Sequence, residues 1–183
     1  MSISNAFQIL SNLQQQAIAS NELGERLVTH SSASRGMGFI INGERFFCDA
    51  DLVREVAVPQ DLILVPQSKA WMRGIFNSKG VLFSVVDLGM LAGMDRHVVY
   101  QRGHLMILRH ASRQCSLLVN RVVGFRNFDF AGVGQREPDA QTNEQWWESL
   151  SAFMGKSVHE GGETWRYIDI QKLIDSEVFL EVQ

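Results

Sequence analysis

The chain has 183 residues, 45% of them apolar and 20% charged, which are the proportions of a globular protein with one domain or two small halves. A net charge of −3, with basic residues scattered singly, excludes the clustered positive surface of a general nucleic-acid binder. The apolar runs are too short for a membrane helix and the first residues lack a secretory signal pattern, so we expect a cytoplasmic protein.

The N-terminal part of the chain differs from the rest in its pattern of apolar and polar residues. Phe7, Leu10, Leu13 and Ala17 follow helical spacing, so residues 1–28 are predicted to form an amphipathic helix. The following stretch, Thr29–Gly36, is small and polar and has the composition of a linker. The sequence therefore predicts a helical extension with a linker over residues 1–35 and a globular body over residues 36–183.

The body is predicted to be rich in short β-strands. Runs of Val, Ile, Leu and Phe alternate there with Gly, Asn and Asp, which is the pattern of strands separated by turns. This density favours barrels or a sandwich over an alternating β/α fold. The main runs are Gly38–Asn42, Phe47–Val58, Gly80–Leu88, His104–His110, Ser116–Phe125 and Thr164–Ile170.

Helical candidates in the body are few. Thr142–Gln145 has a capping-box pattern, and short helices are predicted directly after Asp87 and Asp169. Trp146 and Trp147 follow the capping box, and two interpretations stay open for them: core packing, or an anchor for a partner.

An internal repeat relates two parts of the body. Shifted by 82 residues, Trp71–Leu91 aligns without gaps on Phe153–Leu173, with identical residues at four of 21 positions. Among these positions are a turn glycine and the aspartates Asp87 and Asp169. An aspartate between a strand and a helix is a natural N-cap, so we predict that both aspartates cap the helices that follow them.

Catalytic motifs are absent from the sequence. It has no nucleophile elbow, phosphate-binding loop or dinucleotide fingerprint, and its five histidines are dispersed. Asp49 and Asp51 are interpreted as part of a turn or sheet edge, and Cys48 and Cys115 as reduced thiols. We therefore expect neither an enzyme nor a bound cofactor or metal, although Asp87 keeps open the alternative of a phospho-accepting, receiver-like domain.

Several sequence motifs occur together in the body, in a fixed order along the chain. The first half carries Val53-Arg54-Glu55-Val56 and then VPQSKAWMRGIFNSKGVLFSVVDL, and the second half carries HLMILR, Val119-Asn120-Arg121-Val122 and ETWRYIDIQKLI. In this combination the chain resembles the CheW family of chemosensory coupling proteins from about Gly36 to its C-terminus. Within that family it is most similar to the branch found in chemosensory systems of the type IV pilus, which drives twitching motility.

The resemblance implies a fold and a role. The fold would be mainly β, with two intertwined SH3-like five-stranded barrels and a few short helices. Its approximate halves, 36–95 and 96–183, could exchange terminal strands. The role would be that of a non-catalytic adaptor, recruited to membrane-associated receptor arrays. Its implied partners are the cytoplasmic tip of a methyl-accepting chemoreceptor and the regulatory domain of a CheA-type histidine kinase. A general SH3-like peptide-binding module is a further alternative.

The resemblance also implies partner-binding residues. They are Val53 and Glu55 on the receptor-facing strand, the turn glycines Gly74 and Gly80, and Lys79, which would pair with Glu55.

Three residues depart from the family phrases. Lys79 replaces the usual arginine and loses its bidentate geometry. Ser84 replaces proline and gains a backbone N–H, whereas Asn120 replaces aspartate and loses a charge.

Overall fold

The computed structural model describes residues 33–94, 98–129 and 145–181. The predicted N-terminal helix and the first three residues of the predicted capping box lie outside these ranges. Strand β1 begins at Ala33, so the last four residues of the stretch predicted as a linker belong to a strand. Pairing with neighbouring strands supplies partners for this backbone and overrides its linker-like composition.

The predicted mainly-β class is confirmed. The strands are β1 (Ala33–Ile41), β2 (Glu44–Asp49), β3 (Val53–Ala57), β4 (Leu62–Ile63), β5 (Met72–Ser78), β6 (Val81–Asp87), β7 (His104–Leu108), β8 (Cys115–Val119), β9 (Arg121–Asp129), β10 (Met154–Glu160) and β11 (Glu163–Ile168). The α-helices are α1 (Leu88–Leu91), α2 (Gln145–Leu150), α3 (Ile170–Asp175) and α4 (Glu177–Leu180). None of the described helices is long and apolar enough to cross a membrane.

Two predicted strands are interrupted. The run predicted over Ser116–Phe125 divides at Asn120 into β8 and β9, which belong to different sheets. A 3₁₀ turn at Ala50–Leu52 separates β2 from β3, so the single run predicted over Phe47–Val58 is two strands in different sheets. The turn contains Asp51, as predicted for a turn residue, whereas Asp49 is the last residue of the central strand β2.

The strands form two sheets of corresponding topology. The order in one sheet is β9-β1-β2-β11-β10, and in the other it is β3-β7-β8-β6-β5-β4. One pair in each sheet is parallel: β2 with β11 in the first and β8 with β6 in the second. The other strand pairs whose residue register is given are antiparallel. The second sheet has six strands rather than five because it gains the two-residue strand β4 at its edge.

The correspondence between the sheets is achieved by an exchange of hairpins. The β1–β2 hairpin lies beside the C-terminal strands β9–β11, in the place that the β7–β8 hairpin occupies beside β3–β6. Each sheet therefore takes strands from both predicted halves of the chain.

An ion pair joins opposite sides of each sheet. In the six-stranded sheet, Lys79 of the β5–β6 turn lies 2.6 Å from Glu55 of the edge strand β3. In the five-stranded sheet, Arg126 of one edge strand lies 3.1 Å from Glu160 of the other. The two sheets therefore curl towards closure, as expected for SH3-like barrels, and this limits their exposed edges.

The described residues of the body form three apolar clusters. One small cluster lies in each barrel, built around Phe76, Phe83 and Leu118 in one and around Phe47 and Trp165 in the other. The largest cluster packs between the sheets.

Both cysteines belong to the largest cluster and are free, as predicted for reduced thiols, and burial raises the pKa of each. Strand β8 is buried along its whole length because one of its faces meets a barrel core and the other meets the cluster between the sheets.

The sequence repeat is a structural repeat. The backbone N–H of Asp87 donates to the Trp71 carbonyl at 2.8 Å, and that of Asp169 donates to the Phe153 carbonyl at the same distance. Each aspartate side chain accepts from the backbone N–H three residues later, at 3.1 Å for Asp87 and 2.9 Å for Asp169. The prediction that both aspartates are helix caps is confirmed.

Asp87 carries contacts that its counterpart lacks among the described residues. Its Oδ2 also accepts from the Val98 N–H and from the Arg73 guanidinium, both at 3.2 Å, and its side chain has no exposed surface. Burial raises the pKa of this carboxyl, although the Met90 and Val98 N–H groups and Arg73 oppose the shift. Asp87 thus cross-links α1, β5 and the segment that leads to β7.

Gly74 allows strand β4 to approach β5. Its φ is +141°, and a Cβ atom at this position would lie 2.4 Å from the Ile63 carbonyl oxygen. The backbone of β4 therefore occupies the space of the missing side chain.

The repeat yields a prediction about stability. We expect Asp169→Ala to cost about 0.5–2 kcal/mol, the value of a helix cap. Asp87→Ala should cost about 3–5 kcal/mol because it also leaves Arg73 and the Val98 N–H without their buried acceptor. Urea unfolding of the two variants measures both values, and equal costs would contradict the cross-linking role of Asp87.

The glycines of the β5–β6 hairpin yield a second prediction. Gly80 has a φ of +84° with no atom within 4 Å of a Cβ position, so Gly80→Ala should cost only about 1–2 kcal/mol of backbone strain. Gly74→Ala should cost about 1–3 kcal/mol beyond that strain because it displaces β4. Thermal unfolding compares the stabilities, and faster amide exchange at Ile63 in the Gly74 variant alone would mark the displacement.

Candidate functional site

The β5–β6 hairpin presents a charged tip. Ser78 pairs with Val81, which leaves Lys79 and Gly80 as a two-residue loop with φ values of +52° and +84°. Positive φ at both positions is the type I′ geometry that suits the twist of paired strands. The Gly80 N–H donates to the Asn77 side chain at 2.8 Å, which fixes the loop and projects Lys79 towards solvent.

The hairpin tip binds Glu55 on strand β3. Lys79 Nζ donates to Glu55 Oε2 at 2.6 Å, and Ser78 Oγ donates to Glu55 Oε1 at 3.0 Å. These two hydrogen bonds lower the pKa of the Glu55 carboxyl, so the pair stays charged to lower pH than a free glutamate would. The structure brings together the two residues that the resemblance pairs, and it adds Ser78, which the motif comparison missed.

The other two residues of the predicted set lie beneath the surface. Val53 is 6% exposed and packs in the cluster between the sheets, and Gly74 is buried under β4. Both therefore shape the surface around the Glu55–Lys79 pair, and a direct partner contact at either residue stays a prediction.

The departures at Ser84 and Asn120 have local structural consequences. The Ser84 N–H, which a proline would lack, donates to the Gln114 carbonyl at 3.0 Å. The Asn120 side-chain oxygen accepts from the Asn42 N–H at 2.7 Å, a bond that an aspartate oxygen could also form.

Exposed apolar residues lie at both edges of the same sheet. Val56 on β3 and Val58 just after it are 40% and 65% exposed, and Ile63 and Leu64 at the opposite edge are 61% and 74% exposed. Apolar side chains beside unpaired strand edges and a polar pair are features of a protein-docking surface. Side chains alternate between the two faces of β3, so the sequence could have indicated that Val56 is exposed opposite the buried Val53. The exposure of β4 depends instead on how the barrel is assembled.

The residues considered for catalysis do not assemble a reactive centre. Asp87 is fully buried and both of its oxygens accept hydrogen bonds, so no phosphoryl donor reaches it in this conformation. His104 begins β7 and His110 follows its end, as predicted for residues that mark a strand. Across the described ranges, no three His, Cys, Asp or Glu side chains are grouped to hold a metal. Trp146 and Trp147 lie on α2, and their side chains are outside the described residues.

Comparison with known proteins agrees with this architecture. The sequence profile of the CheW-like domain matches residues 35–178. Protein PilI of Pseudomonas aeruginosa is 22% identical over 183 residues, which span 98% of this chain and 97% of that protein.

A solved structure shows the same fold. The crystal structure of the scaffolding protein TtCheW from Thermoanaerobacter tengcongensis matches with a TM-score of 0.66 at 17% identity, over 80% of this chain and 95% of its own. Since the profile covers most of the sequence, the chain belongs to the CheW-like domain family, the scaffolding and coupling adaptors of chemosensory signalling.

Proposed function

We propose that the protein is a non-catalytic adaptor that couples a methyl-accepting chemoreceptor to a CheA-type histidine kinase in a system controlling twitching motility. The observation that carries the specific pathway is the similarity to Protein PilI along nearly the full length of both chains. The Glu55–Lys79 pair and the exposed apolar residues beside it support a docking role. In this proposal the surface around the pair receives the receptor tip, and exposed barrel ends bind the kinase regulatory domain.

The phospho-acceptor alternative is not favoured by the geometry. A phosphorylated aspartate must be open to a donor and to a metal ion, whereas Asp87 is buried, caps a helix and pairs with Arg73. Acetyl phosphate followed by mass measurement would revive this alternative only if it added an Asp87-dependent phosphate.

A binding experiment tests the adaptor directly. The full-length chain should co-sediment with the kinase regulatory domain and with a receptor cytoplasmic fragment, and most strongly with both together. Binding to neither partner would overturn the proposal and leave the general peptide-binding module as the interpretation to pursue.

Charge reversal tests the role of the pair. Lys79→Glu should weaken receptor binding by up to about tenfold because it places two carboxylates together at the docking surface. Adding Glu55→Lys should restore part of the loss, since the exchanged charges can pair again. Isothermal titration with the receptor fragment measures each affinity.

The equivalent ion pair of the other barrel provides the matched control. Arg126→Glu breaks the ion pair of the other barrel, which lies outside the docking surface, so it should leave receptor affinity unchanged. An equal loss in the single Lys79 variant and in the double variant would argue against pairing, and an equal loss in the Arg126 variant would place the receptor elsewhere.

A further inference from the structure

A half-enclosed cavity of about 300 Å³ lies where α4 packs against the six-stranded sheet. Neither Glu55 nor Lys79 lines it. Its volume is at the lower end of pockets that hold small ligands, and such pockets combine apolar walls with a few polar groups. The apolar walls come from β5 and the residue before it, from β6 and from α4, and they include Trp71, Met72, Val86, Phe179 and Leu180.

Arg113 is the only charged residue among the described lining residues. Its Nε is buried without a hydrogen-bond partner among the described residues, and its nearest carboxylate, Asp175, is 3.9 Å away. Asp175 is already engaged by Gln171 at 2.9 Å and by His110 at 3.0 Å. The ion pair with Asp175 is too long for a hydrogen bond, so the buried Arg113 Nε retains a donor for an anionic group.

The described walls of the cavity carry no carboxylate, and Asp175 pairs with Arg113 from outside them. Burial raises the pKa of Cys115 to about 11, so its thiol is neutral at physiological pH. Ser84, the residue that stands in place of the usual family proline, donates its hydroxyl to the Gln114 carbonyl at 3.2 Å. The cavity is therefore apolar with one cationic corner.

We infer that this cavity binds a small ligand with an apolar body and a single carboxylate. The carboxylate would accept from Arg113, and the body would lie along Trp71 and Phe179, whose rings stack with centroids 6.2 Å apart. A neutral or cationic analogue of the same shape would leave the Arg113 Nε without a charged hydrogen-bond acceptor. This inference does not depend on the adaptor role, because the cavity and the docking surface share no described lining residue.

Titration of the full-length chain with three ligands of equal chain length tests the inference. Octanoate should bind at least about tenfold more tightly than octan-1-ol, because only the acid forms a charge-assisted hydrogen bond with Arg113. Octylamine should bind more weakly still. With isotope-labelled methionine methyl groups, octanoate should shift the NMR signal of Met72, which lines the cavity, and leave Met106 in the cluster between the sheets unmoved.

Two arginine variants locate the contact. Arg113→Gln should lower octanoate affinity at least about tenfold without changing the affinity for octan-1-ol. Arg109→Gln removes the same charge from an exposed position outside the cavity and should change neither affinity. Equal affinities for acid and alcohol, an unmoved Met72 signal or an equal loss in both variants would overturn the inference. If Arg113→Gln does not fold, the acid, alcohol and amine comparison on the unmodified chain decides.

Discussion

The exchange of hairpins between the two barrels is the constraint on which the rest of the structure depends. β7–β8 completes the barrel of β3–β6, and β1–β2 completes the barrel of β9–β11. Both exchanged hairpins contribute to a barrel core on one face and to the cluster between the sheets on the other. Because its strands are shared in this way, neither barrel has a complete sheet from one half of the sequence, and the two should fold as one cooperative unit.

The repeated aspartates show how two similar halves acquire different roles. Asp87 and Asp169 make the same backbone and cap contacts, which turn the chain from a strand into a helix at equivalent points. Only Asp87 is fully buried and paired with an arginine, so only this copy ties a distant segment to the cap. Asp87, which the sequence left open as a phospho-acceptor, thus has a structural role. The free-energy cost of burying its carboxylate is partly offset by the hydrogen bonds it accepts.

The same barrel geometry accounts for a docking surface. Curling of the six-stranded sheet brings the β5–β6 turn to the edge strand β3, where Lys79 and Ser78 meet Glu55. The hairpin loop is rigid because its backbone has type I′ geometry and an internal hydrogen bond from Gly80 to Asn77. A rigid charged tip beside exposed apolar residues can recognise a partner with little loss of conformational entropy on binding.

The β-rich class, the repeat, the two aspartate caps and the family could all be predicted from the sequence, because they depend on local patterns: residue alternation, turn residues and motif order. Which strands share a sheet became visible only in the folded chain, since hydrogen bonds between distant segments leave no periodic signal in the sequence. The folded chain also shows that Val53 and Gly74 lie beneath the surface while Glu55 reaches it, and that Ser78 joins the pair. Burial and contacts at these positions follow from barrel closure and from the approach of β4. Neither can be predicted from the neighbouring residues in the sequence.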